Sequence, residues 1–308
     1  MASRNDGKVP KTIKLESYFG SRMTVSSDGS FALVSGQLGA VFRVDLSTWK
    51  AARWTQLSSA PSAMKLSPND ALVAISFSSE GGSPERVEVR DAHDGTLRGS
   101  IDARDPSQAS SVIETLTWSA DGARLLGVSS SAVDKDAPHL VVFDLAKKQA
   151  RHLRVCAHHT LAAGFIDDRS AMVLSSRALR PEGTSDTDLW VLDVDTGTLD
   201  RKGDGGMDVV RSVERLPDGR MLATASYSPA RVIERDGTVV FCGGNGGLVY
   251  GDGATIVSMD GRKNLTVTRS DGSTADLGKA AKASHAIAVV GRHLLLLQDM
   301  QIQVLPLR

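Results

Sequence analysis

Cysteine is nearly absent from this sequence, with Cys156 and Cys242 the only two in 308 residues. They stand too far apart for a CxxC pattern, so neither a disulfide framework nor a zinc knuckle is expected, and both read as buried thiols. No charge predominates either, since 36 basic residues face 36 acidic ones. A broad nucleic-acid footprint needs a basic face to displace counterions, and no run of five or more basic residues supplies one. Long apolar runs are also missing. Nothing reaches the ~18 residues of a membrane span, and His293-Leu294-Leu295-Leu296-Leu297 reads as one buried strand. Met1 to Pro10 is polar and lacks the apolar stretch of a secretory leader. These absences point to a cytoplasmic protein with no membrane insertion and no nucleic-acid partner.

Catalytic signatures are missing too. There is no Gly-x-Ser-x-Gly elbow. Gly243-Gly244-Asn245-Gly246-Gly247 matches no phosphate-cradling pattern and reads as a tight turn. The acidic stretch from Asp186-Thr187-Asp188 to Asp193-Val194-Asp195 lacks the loop length and closing glutamate of a calcium hand. His158-His159 beside Cys156 hints at a thiol nucleophile, but neighbours on an extended segment point opposite ways. No catalytic residue, metal or cofactor is expected on these grounds.

What the chain does have is a repeat. In Thr115 to Val128 a short apolar run enters the polar turn Ser119-Ala120-Asp121-Gly122 and a second apolar run leaves it. Looser copies recur at Ser27-Asp28-Gly29, Ser67-Pro68-Asn69-Asp70, Asp167-Asp168-Arg169, Pro217-Asp218-Gly219, Gly251-Asp252-Gly253 and Val290-Gly291-Arg292. Seven turns in this length give about 44 residues per unit, the size of a four-stranded propeller blade. A second hairpin signal runs in phase with the first. It is clearest at Leu192-Asp193-Val194-Asp195-Thr196-Gly197-Thr198-Leu199 and recurs around Asp45, Asp91, Asp144, Asp236 and Asp271. Each unit therefore reads as strands A to D, with polar turns at A–B and C–D.

The last unit is one strand short, because Gln301 to Leu305 serves as its strand C and only three residues follow. Thr12-Ile13-Lys14-Leu15 is a spare alternating strand at the other end. An N-terminal strand that completes the last blade accounts for both, and closure removes exposed edges. The expectation is an all-β, seven-bladed propeller of four-stranded antiparallel blades, a single domain over residues 1–308 with residues 1–10 as a flexible tail. The turns Ser67-Pro68-Asn69-Asp70 and Trp118-Ser119-Ala120-Asp121-Gly122, with Asp193-Val194-Asp195-Thr196-Gly197, resemble those of WD40-like and TolB/YVTN-type seven-bladed propellers. The Gly-His and Trp-Asp dipeptides of true WD40 repeats are absent at the expected places, so what the resemblance implies is a divergent member of that superfamily.

The resemblance implies that A–B and C–D turns share one face of the ring and B–C and D–A loops the other, top face. The B–C loops of blades two, three and four are long, and long loops on a rigid scaffold commonly carry binding. They hold Glu80, Asp134, Lys135, Asp136, Arg177, Arg180, Glu182 and Asp186, a mixed-sign wall suited to a protein or peptide partner, with Arg177 and Arg180 as anchors. A second candidate is the channel mouth, near the starts of the A strands: Arg22, Glu114, His159, Arg211, Asn245 and His285. The expected function is a non-catalytic protein-interaction scaffold, alone or as a subunit of a larger assembly. The alternative is a hydrolase or lactonase-like propeller enzyme with a metal held at the mouth by Glu114, His159, Asn245 and His285. The tryptophans are expected to serve blade packing, Trp54 being the one to inspect for ligand stacking.

Overall fold

The computed structural model describes residues 12–15, 20–77, 85–104, 111–131, 139–154, 160–176, 187–226, 228–243, 248–251, 255–260, 262–280, 284–299 and 301–307. Within them the strands pair into seven four-stranded antiparallel sheets that succeed one another around a ring. The inner strands are Gly20–Val25, Ala63–Leu66, Ser111–Trp118, Thr160–Phe165, Val210–Arg215, Leu248–Gly251 and Ala286–Val290. The outer strands are Lys50–Gln56, Leu97–Asp102, Gln149–Leu153, Leu199–Asp204, Val239–Gly243, Thr274–Lys279 and, for blade seven, Thr12–Lys14. Among the described residues no helix is long and apolar enough to cross a membrane.

Side-chain hydrogen bonds explain why the polar turns recur. In blade three Ser119 Oγ donates to Asp121 Oδ1 at 2.6 Å, and the same oxygen accepts the Ala123 N–H at 2.9 Å. Gly122 N–H donates back to the Ser119 carbonyl at 3.0 Å with φ +71°, a left-handed conformation that glycine takes without strain. Ser26, Asp28 and Gly29 repeat the arrangement in blade one. Blade two has Asp70 at the left-handed position instead, with φ +57°. Its carboxylate accepts Ser27 N–H and Oγ–H from blade one at 2.8 and 2.6 Å, so this departure from the repeat ties two blades together. At the C–D turns an aspartate caps the loop: Asp193 Oδ1 accepts from Asp195 and Thr196 N–H, and Asp45 Oδ1 from Ser47 and Thr48.

Alternation along each strand sends side chains to both faces of a blade, and each face is buried against a neighbour. Seven apolar clusters result, one at each junction between blades. The junction of blades seven and one holds Ile13, Leu15, Ala32, Val34, Leu295, Leu297 and Ile302. There Thr12–Lys14 pairs antiparallel with Gln301–Pro306, opposing Ile13 to Ile302. The spare N-terminal strand therefore closes the ring.

One expectation fails. Cys242 is exposed, not buried. It lies on the outer strand of blade five, where Phe241 and Gly243 take the inward positions against blade six. Cys156 lies outside the described residues.

Candidate functional site

All eight residues expected to form the loop wall, Glu80, Asp134, Lys135, Asp136, Arg177, Arg180, Glu182 and Asp186, lie outside the described residues, as do His159 and Asn245 of the channel mouth. The strands that carry the wall are described. The B–C connections of blades two, three and four span residues 78–85, 132–138 and 177–186, against 37–39, 226–229, 260–263 and 299–300 in the others.

At the channel mouth, three inner strands share a device. Pairing between strands A and B shifts register between Gly20 and Arg22, between Ile113 and Thr115, and between Val210 and Ser212. Each shift is a β-bulge at the top of its strand, in blades one, three and five, and a bulge re-aims side chains that regular pairing would commit to the blade interfaces. Glu114 and Arg211 are the extra residues, and both are exposed. Two residues before Arg211, Val209 has φ +35°, an unusual conformation for a β-branched residue.

The polar contacts of the mouth are mostly local. Arg22 Nε–H donates to the Ser62 carbonyl of blade two at 2.7 Å. Ser130 Oγ–H donates to Glu114 at 2.6 Å, Arg211 Nε–H donates to Ser226 Oγ at 2.6 Å, and His285 Nε2 lies 3.3 Å from Asp299. Burial holds the Arg22 guanidinium below its usual range, an effect that Glu114 offsets only in part. Water reaches the Arg22 side chain, yet protein surrounds much of it, which is the condition of a group in a narrow channel. Glu114 and His285, two members of the expected metal set, stand on blades three and seven, each hydrogen-bonded within its own blade. Among the described residues no three histidine, cysteine, aspartate or glutamate side chains converge in a way that could hold a metal ion.

Below the mouth lies a pair that sequence reasoning missed. Lys65 Nζ of blade two and Glu214 Oε2 of blade five are 2.6 Å apart across the channel. The Lys65 ammonium holds the Glu214 carboxyl below the usual glutamate range, outweighing the opposing push of burial. Both side chains stay accessible, at 36% and 47%, although inner strands enclose the carboxylate, so the pair sits in a channel that water enters. In the sequence Lys65 shows as the one charge inside Ala63-Met64-Lys65-Leu66, but Glu214 is one of three charges between Val210 and Arg215 and nothing there sets it apart.

The tryptophans serve packing. Trp118 Nε1–H donates to the Lys65 carbonyl at 3.0 Å and Trp190 Nε1–H to Ser175 Oγ at 3.1 Å. Trp54 packs on the core between blades one and two, its buried Nε1–H without a partner among the described residues. On the bottom face a crevice of about 210 Å³ between blades six and seven is lined by Tyr250, Thr255, Arg269, Val289 and Leu307. Val257, Val267, Val289 and Leu307 of that junction's apolar cluster form half of its lining.

The ring, its closure and the central channel define a seven-bladed β-propeller. No family model and no curated protein matches this sequence. Solved structures do. The β-propeller domain of Cps50 (Swd1) from Myceliophteria thermophila is similar with a TM-score of 0.75, over 96% of this chain and 100% of that one, at 12% identity. Hydrazine synthase from Kuenenia stuttgartiensis reaches 0.69 over 96% and 97% at 14% identity. The Dos1 propeller reaches 0.65 over 95% and 83% at 11% identity. At such identities the shared property is the fold, and fold alone does not carry function.

Proposed function

We propose that this protein is a non-catalytic scaffold that holds a partner protein or peptide on its top face, as a divergent relative of the WD40-like propellers. One observation carries the reading, the difference between the two faces. The bottom face repeats short hairpins whose aspartates hold their own turns or, as Asp70 does, brace the turn of a neighbouring blade. The top face carries the unequal connections, long in three consecutive blades, together with a bulge-lined channel mouth. A rigid ring with irregular loops gathered on one face suits recognition of a surface. In this reading Arg177 and Arg180 anchor the partner, and mixed charge along the wall sets the register of docking. Reversing both arginines, Arg177→Glu with Arg180→Glu, is expected to abolish capture of a cross-linked partner while leaving the melting temperature unchanged. Undiminished capture by that variant would reject the wall as the site.

A further inference from the structure

The seven outer strands form the rim of the ring, and among the described residues no strand pairs with the outer edge of any of them. Such edges invite pairing with another chain, and charged side chains, lysine above all, discourage it. Six of the seven strands carry such charge, at Lys14, Lys50, Arg98, Arg151, Lys202 and Lys279. The outer strand of blade five, Val239-Val240-Phe241-Cys242-Gly243, carries none.

The difference extends to a single structural position. Five outer strands bulge where they pair with strand C, and the extra residue is Arg98 in blade two, Lys202 in blade four, and in blades one and six Trp54 and Leu277, which are half-buried against the core. In blade five it is Val240, which is 45% exposed. Phe241 is buried toward blade six and Gly243 packs on Thr268 of that blade, so Val240 and Cys242 are left at the rim. The result is a short, uncharged, apolar edge on an otherwise charged perimeter.

We propose that this edge is a homodimer interface, in which the Val239–Gly243 strands of two copies pair antiparallel about a two-fold axis and join their blade-five sheets. The occupant follows from complementarity. An uncharged edge is matched by an uncharged edge, and the chain supplies one. Pairing of this strand with any of the other six edges would set apolar side chains and open backbone groups against lysine or arginine. One competent edge per molecule also means that association stops at two copies and does not grow into a fibre. The inference is independent of the top-face reading, because the rim and the top face are different surfaces.

Sedimentation velocity on the full chain tests it, at protein concentrations on the order of 100 μM, far above a micromolar Kd. The expected species has twice the 32.6 kDa protomer mass. Val240→Lys gives this strand the charge its neighbours have and is expected to weaken association by about tenfold or more, with an unchanged melting temperature. In a Cys156→Ser background a short bismaleimide is expected to join Cys242 of one copy to Cys242 of the other, and Val240→Lys should suppress that product. A monomeric wild-type chain, or a Val240→Lys variant that stays dimeric, would overturn the proposal. The first result would leave the edge to an extended segment of a different protein.

Discussion

At Gly164 the inner strands of blades four and five meet with no room for a side chain. A Cβ there would fall onto the carbonyl oxygen of Val213, which is backbone and cannot swing aside. Gly164→Ala is therefore expected to lower stability by about 1–3 kcal/mol, read as a lower urea midpoint. Gly99→Ala is the control, since a Cβ at that site meets nothing within 4 Å, and it should stay within about 0.5 kcal/mol of wild type. Equal losses at the two sites would show that the Val213 carbonyl is not the cause of the cost. Nothing in the sequence separates these glycines, because the oxygen that excludes a methyl at Gly164 belongs to the next blade. The turn glycines Gly29 and Gly122 were legible, since their constraint lies within the same few residues.

Among the described strands Thr12–Lys14 is the shortest, and it closes the whole ring. Its Ile13, with Leu15 just beyond it, is buried in the cluster between blades seven and one, at 5% and 4% exposure. Deleting residues 1–15 removes both and opens an edge on blade seven. Burial is worth about 1.5–3 kcal/mol per aliphatic side chain, so a loss of several kcal/mol is expected in chemical denaturation. Wild-type stability after the deletion would contradict closure by this strand. The element was legible as a remainder, one strand too many at one end and one too few at the other. The bulges that display Glu114 and Arg211 were not legible. An extra residue in an alternating strand shows only when its partner strand is known.

Over the whole molecule the repeated turns add up to a pH dependence. Hydrogen bonds from Ser119 and the Ala123 N–H hold the Asp121 carboxyl below the usual aspartate range. Ser47 does the same for Asp45, the Thr196 N–H for Asp193, and Arg220 for Asp218. Lys65 lowers Glu214 across the channel. A carboxyl depressed in the folded state contributes stability above its unfolded pKa of about 4, and that stability is lost as pH falls through the folded value. The urea midpoint is therefore expected to hold steady near neutral pH and to decline below about pH 5. A midpoint that stays level down to about pH 3 would show that the turn hydrogen bonds contribute no net stability.

The sequence alone determined the blade count, the hairpins and the closing strand. Their causes are local, carboxylates and hydroxyls bonding to amides two or three residues away, and a period long enough to repeat visibly. It also offered Arg22, Glu114, Arg211 and His285 as candidates, because they stand near the starts of inner strands. Only the tertiary structure decided what those residues touch. Arg22 reaches the carbonyl of the next blade, Glu114 and His285 stay bonded within blades three and seven, and Lys65 meets Glu214 across the channel. It also placed Cys242 at the rim, since which face of an outer strand is covered depends on the neighbouring blade. Each of these contacts joins strands far apart in sequence, and ring closure sets the distances between them.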